Sequence, residues 1–194
     1  YEVLRKEENG FTASVEMNDG YEILLNAMVV QQLYPSTVIR LIESRRQNQG
    51  VNILISPYIS DRTAMICEQN GIGYFDYAGN CWFAGHSIYL SERGHKNPQP
   101  KEYKVVTIFE KSSTVSSLIL RELFLDINKT WRLKHLAEKV NCSIGQVSKV
   151  MNYLLDNVWV EKRKEGYRLT DPESLLQEWS RVYGKKDLPA YGCY

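Results

Sequence analysis

The sequence has no apolar run approaching the ~20 residues that a membrane-spanning helix needs. It also lacks the charged-then-apolar leader of a secreted protein. It is poor in the residues that hold metals. Its 4 cysteines, Cys67, Cys81, Cys142 and Cys193, include no CxxC pair, and its 3 histidines, His86, His95 and His135, are scattered. The expectation is a cytoplasmic chain with ordinary reduced thiols, no metal centre and no cofactor. Neither charge dominates, with 24 Lys and Arg against 23 Asp and Glu, so net charge alone points to no partner. The chain starts at Tyr1 rather than Met, as a piece of a longer protein would. What it does have is 43% hydrophobic residues, enough for a real core. Its 194 residues suit one large domain or two small ones.

The distribution of charge says more than its sum. Residues 1–104 carry a net charge of −2 and residues 105–194 a net of +3. Within 129–168 nine basic residues stand against four acidic ones. Positive charge gathered in one module is what contact with phosphates calls for.

The polar segment from Gly94 to Lys101, with Pro98 and Pro100, reads as a linker. It divides an α/β domain over 1–100 from a helical domain over 105–183, followed by a tail over 184–194. In the first, Phe11–Glu16 and Tyr21–Val30 are expected strands around the turn Asn18-Asp19-Gly20. A helix is expected over Thr37–Gln47, with Arg40, Arg45 and Arg46 in solvent and Gly50 after its end. Val51–Ser56 reads as a strand buried on both faces. Ser60 or Asp61 caps a helix to Asn70, with Gly71 just past its end. Gly73–Phe83 and Ser87–Leu90 are further strand regions. The order β-β-α-β-α-β implies a mixed sheet with helices packed on it.

The second domain has a sharper pattern. Ser116–Phe124 is an amphipathic helix. Leu133, Leu136, Ala137 and Val140 follow the i, i+3, i+4, i+7 spacing of one helix face. After the short turn Asn141-Cys142-Ser143, with Ser143 as N-cap, a third helix directs Ile144, Val147, Val150, Met151, Leu154 and Leu155 inward. Two helices joined by so tight a turn form a helix-turn-helix. The run 158–162, the turn 163–166 and the run 167–169 then read as a β-hairpin wing. Asp171 as N-cap and Pro172 at the first position start a closing helix. This is the pattern of a winged helix-turn-helix.

Its outer face offers chemistry for DNA. Ser143, Gln146, Ser148, Lys149 and Asn152 lie opposite the inward residues of the third helix. Gln and Asn match adenine edges, Ser is adaptable, and Lys reaches phosphate or guanine. Gly145 allows close approach of the backbone. Lys162, Arg163 and Lys164 on the wing suit phosphate or minor-groove contact, and Arg132 and Lys134 suit phosphate positioning. The bland alternative is a winged helix used only for protein contact.

In the first domain, Pro57-Tyr-Ile-Ser-Asp-Arg-Thr-Ala64 is followed by a helix and then Gly71-Ile-Gly-Tyr-Phe-Asp76-Tyr-Ala-Gly79-Asn80. These stretches, with the closing Leu169-Thr-Asp-Pro-Glu-Ser-Leu-Leu-Gln-Glu-Trp179, resemble the AbiEi-like antitoxins and regulators of bacterial type IV toxin–antitoxin systems. The resemblance spans about residues 20–180. It implies an α+β protein whose first domain is restriction-endonuclease-like and whose second is a winged helix. It also implies an antitoxin-type autorepressor, with double-stranded DNA and a nucleotidyltransferase-type toxin as partners and room for a homo-oligomer. Asp76, Gly79 and Asn80 form its most specific motif, either as a turn that bonds its own backbone or as a binding site.

Nucleases of that fold need a carboxylate and then a Glu/Asp-x-Lys pair to hold Mg²⁺. Asp19 or Glu22 stands for the first carboxylate. Gln31 and Gln32 stand where the second carboxylate and the lysine belong, and amides replace neither. A non-enzymatic regulator is therefore expected. The alternatives are a nuclease-derived enzyme targeted by its winged helix and a protein-interaction scaffold.

Overall fold

The computed structural model describes residues 2–44, 51–85, 87–96, 108–109 and 114–183. Arg45, Arg46, Gly50, His86, Cys193, most of the expected linker and the tail lie outside the described residues. The chain divides into two compact units, Tyr1–Val105 and Val106–Tyr194. Both are α+β.

The first unit is a seven-stranded mixed sheet of strands in chain order. Strands β1 (Glu2–Glu7), β2 (Gly10–Glu16) and β3 (Glu22–Val29) form an antiparallel meander. Helix α1 (Pro35–Ser44) leads to β4 (Val51–Ser56), and α2 (Asp61–Gln69) leads to β5 (Gly73–Asp76). Strands β3, β4 and β5 are parallel. Strands β6 (Cys81–Gly85) and β7 (Ile88–Glu92) then extend the sheet antiparallel.

Two consecutive right-handed crossovers progressing one way across a sheet place both helices on the same face. Val38 of α1 and Ala64 and Cys67 of α2 accordingly share one core with Leu54 and Tyr74 of the sheet. The sheet's other face gathers Ala27, Ile53 and Phe83, with Phe11, Leu25, Ile55 and Phe75 half-buried around them.

Helix α1 starts at Pro35, two residues before the expected Thr37, β7 runs to Glu92 rather than Leu90, and two larger differences from the sequence expectation follow. The strand β1 is not foreseen, because the mixed and fully exposed run Glu2–Glu7 has no apolar alternation. It is an edge strand, held by its backbone ladder to β2 and bulged between Val3 and Arg5. The region 73–83 is a hairpin of two strands, with Gly79 at a φ of 100° in its turn.

The second unit begins with α3 (Thr114–Leu125), α4 (Leu133–Val140) and α5 (Ile144–Asp156). Its three-stranded sheet has β10 (Tyr167–Leu169) between β8 (Thr130–Trp131) and β9 (Val160–Lys162). Helix α6 (Pro172–Tyr183) closes it, and the stacking of Trp179 on Phe124 at 6.0 Å fastens α6 to α3. The Asp171 carboxylate caps α6, accepting from the N–H and the hydroxyl of Ser174. One core contains Ile119, Leu120 and Leu123 of α3, Leu136 and Val140 of α4, Val147, Val150, Met151 and Leu154 of α5, and Trp159.

Helix α4 ends on Asn141, whose left-handed φ of 52° makes the tight turn into α5. The strand expected from Val158 starts instead at Val160. Val158 has a φ of 60°, a turn conformation that stops α5 and that a β-branched residue adopts only at some cost. The N–H of Trp159 then bonds back to the carbonyl of Leu154.

Gly166 decides where the β9–β10 hairpin sits. Its φ is 145°, and a β-carbon on it would overlap the carbonyl oxygen of Trp131. Only glycine lets the hairpin close this tightly on β8. Gly166→Ala should therefore lower the stability of the second unit by about 2–4 kcal/mol. Urea denaturation followed by tryptophan fluorescence measures this, and an unchanged midpoint would show that the hairpin yields without cost.

Candidate nucleic-acid interface

Helix α5 buries one side completely and leaves the other in water. Val147, Val150, Met151 and Leu154 are buried, whereas Ser143, Gln146, Lys149 and Asn152 are exposed and Ser148 is half-buried. The expected polar face is thus where helical spacing puts it. One inward assignment fails: Ile144 is 51% exposed and takes no part in the core. As the first residue of α5 it has no preceding turn to pack against, and its neighbour Cys142 reaches the core in its place.

The start of α5 is closed by a reciprocal cap. The Ser143 hydroxyl accepts from the N–H of Gln146 at 3.2 Å. The Gln146 amide oxygen accepts from the Ser143 N–H at 3.1 Å. Ser-x-x-Gln is a capping box, legible in the sequence but not read there. It changes the role of Gln146, because half of its amide is occupied in holding the first turn. Gln146→Ala should cost the second unit about 1 kcal/mol, while Gln146→Glu, which keeps an acceptor at the same reach, should cost little. Equal denaturation midpoints for Gln146→Ala and the unaltered chain would contradict this.

The cations near α5 differ in how free they are. Arg132, just before α4, donates from Nε to the Glu165 carbonyl at 3.3 Å and so ties α4 to the tip of the hairpin. Arg163, just past the end of β9, forms an ion pair with Glu161 of that strand. The Lys162 ammonium stands 5.9 Å from the Tyr167 ring. Lys134, Lys149 and Lys164 are exposed and make no ion pair with a described residue. Three cations of this unit's basic stretch, Lys139 in the last turn of α4 and the two that follow, were not singled out from the sequence. Lys129 lies over the Trp131 ring at 3.7 Å, and Arg168 reaches the Asn128 side chain at 3.5 Å. All three fall within the basic stretch 129–168, which was the signal available for finding them.

The motif of the first unit is a structural hub. One Asp76 carboxylate oxygen accepts from the N–H groups of Ala78 and Asn80, each at 2.9 Å. The other accepts from the N–H of Ile59 at 3.2 Å and the Asn80 amide at 2.8 Å. Asn80 in turn exchanges two bonds with the backbone of His95. Gly79 faces the His95 ring, which would stand 3.7 Å from a β-carbon there. Two buried side chains thus join the lead-in to α2, the β5–β6 turn and the chain after β7, and their polar atoms are committed to that task.

The carboxylate and amide positions considered for a nuclease are not brought together. Asp19 bonds the N–H of Tyr21 in the β2–β3 turn, and Glu22 accepts from Ser14 at the start of β3. Gln31 and Gln32 follow the other end of that 8-residue strand. A strand of this length spans about 25 Å, far beyond the reach of one metal ion. Among the described residues there is no group of three His, Cys, Asp or Glu side chains placed to hold a metal.

Two other polar features of this unit are structural. Glu68 of α2 pairs with Arg93 and accepts from the Tyr74 hydroxyl at 3.0 Å. Burial and that bond hold the Tyr74 hydroxyl above its usual range, and the bond to Glu68 raises the Arg93 guanidinium. Burial, with Glu68 adding, pushes the Cys67 thiol up to about 12, which leaves no thiolate for nucleophilic work. No family model, curated protein or solved structure matches the chain. Among the described residues, no helix is long and apolar enough to cross a membrane.

Replacing Asp76 with Ala should strand N–H groups in two segments, the lead-in to α2 and the β5–β6 turn, and lower the stability of the first unit by about 2–4 kcal/mol. Asp76→Asn should be nearly as damaging, since its NH₂ would face the donors of Ile59 or Asn80. Hydrogen exchange at Ile59, Ala78 and Asn80 reports the loss. Full protection in a folded Asp76→Ala variant would refute the structural role.

Proposed function

We propose that the chain is a double-stranded DNA-binding transcriptional regulator. In this reading α4, the Asn141 turn and α5 form a helix-turn-helix, α5 is the recognition helix, and the β9–β10 hairpin is the wing. The observation that carries it is the two-sidedness of α5, apolar and buried on one side and lined with Ser, Gln, Lys and Asn on the other. The net positive stretch 129–168 supports it, because affinity for duplex DNA rests largely on phosphate contacts.

Lys149 is assigned to the major groove, with Ser148 and Asn152 beside it. Lys134 and Lys164 are assigned to phosphates. Arg132 positions the wing through its bond to Glu165, and Gln146 holds the first turn of α5 while its NH₂ group remains for a base edge. On the resemblance of its motifs, the protein is an antitoxin-type autorepressor. Its first unit is then a restriction-endonuclease-like domain without catalysis, and a nucleotidyltransferase-type toxin is its further partner. The meander followed by a parallel crossover strand is compatible with such a domain. The distance along β3 between Asp19 and Gln31 weighs against the nuclease alternative.

Fluorescence anisotropy with a labelled duplex at several salt concentrations tests the reading. Log affinity should fall linearly with log salt at roughly 0.9 per phosphate contacted. Lys134→Ala and Lys164→Ala should each flatten that slope by about one and weaken all sequences alike. Absence of binding to any duplex at low salt would remove the function and leave a protein-contact role for the unit.

A further inference from the structure

Ile144 is the first residue of α5, and half of its surface lies in solvent. The amphipathic pattern of the helix does not need it there, since the buried side is complete with Val147, Val150, Met151 and Leu154. Spacings of four residues place Ile144, Ser148 and Asn152 along one side of the helix, next to Gly145 and Lys149. Side chains on a helix lean toward its N-terminus, so Ile144 projects past the end of α5. The first turn of a recognition helix is the part that meets base edges. A β-carbon at Gly145 would meet nothing nearer than the Ser143 hydroxyl at 3.9 Å, so no bulk beside Ile144 keeps a partner away. The capping box between Ser143 and Gln146 holds this turn in place before any partner arrives.

An exposed aliphatic side chain on a groove-facing helix end matches one feature of duplex DNA. The thymine 5-methyl group is the apolar landmark of the major groove. We propose that Ile144 is a specificity-determining residue that packs on a thymine 5-methyl group and selects an A·T pair at the position α5 reaches first. The assignment rests on the DNA-binding reading given above. It deepens that reading by naming a chemical group on the ligand.

The probe is a duplex that the wild-type chain enriches from a randomised pool. It is prepared again with deoxyuridine replacing each thymidine in turn, which removes one methyl group and leaves every hydrogen-bonding edge unchanged. Wild-type chain should bind about three- to fivefold more weakly when the contacted thymidine is replaced, the effect of one buried methyl. Ile144→Val, which keeps a branched side chain, should retain most of that discrimination. Ile144→Ala should bind the two duplexes alike, with an unchanged circular dichroism spectrum because the position is outside the core.

If the wild-type chain binds but no deoxyuridine replacement matters, or the pool yields no preferred sequence, the assignment of Ile144 is wrong while the DNA-binding reading stands. If Ile144→Ala discriminates as well as wild type, another residue touches the methyl group and the assignment again fails. A chain that binds no duplex, enriched or random, overturns the DNA-binding reading and this assignment with it.

Discussion

The burial of one side of α5 is the constraint on which the second unit depends. Val147, Met151 and Leu154 are withdrawn from solvent, each sharing a core with Ile119, Leu120 and Leu123 of α3 and Leu136 of α4. A helix held on one side by tight packing has little rotational freedom, because interior packing tolerates few alternative arrangements. Its other side is then presented to solvent at a fixed angle. The capping box closes the end where packing cannot help, and Asn141 turns the chain so that α4 backs α5. The hairpin is placed by two contacts of a different kind: the close approach of Gly166 to the Trp131 carbonyl and the bond from Arg132 to Glu165. Polar groups mounted on such rigid supports need little reorganisation to meet a ligand.

Charge in this unit is partly spent at home. Nine basic residues in 129–168 suggest a strongly cationic surface. Glu161 holds Arg163, the Glu165 carbonyl holds Arg132, and Lys129 lies over Trp131. Exposed contacts of this sort are weak. They nonetheless separate cations engaged within the unit from Lys134, Lys149 and Lys164, which are exposed and make no ion pair with a described residue. The first unit shows the complementary economy. Asp76, Asn80, Glu68 and Tyr74 are polar groups that would draw notice in any sequence, and each is bonded to its own fold. Their work is to hold α2 and the turns at one end of the sheet against the chain after β7.

Periodicity and local capping determined much of the architecture. The positions of α2, α4, α5 and α6, the strand Val51–Ser56, the caps Ser60, Ser143 and Asp171, and the polar side of α5 follow from apolar spacing and local capping chemistry. These interactions are settled within a few residues along the chain. Tertiary structure decided what depends on partners far away in sequence. The strand β1 exists because the β2 backbone pairs with it. The region 73–83 becomes a hairpin because Asp76 and Asn80 close its turn on Ile59 and His95. Asp19 and Gln31 are parted because β3 runs straight between them. Ile144 fits the inward pattern yet remains in water, since a helix's first residue meets the core only if another element is there to receive it. A hydrophobic pattern records which side chains favour burial, and only the folded chain determines which of them find cover.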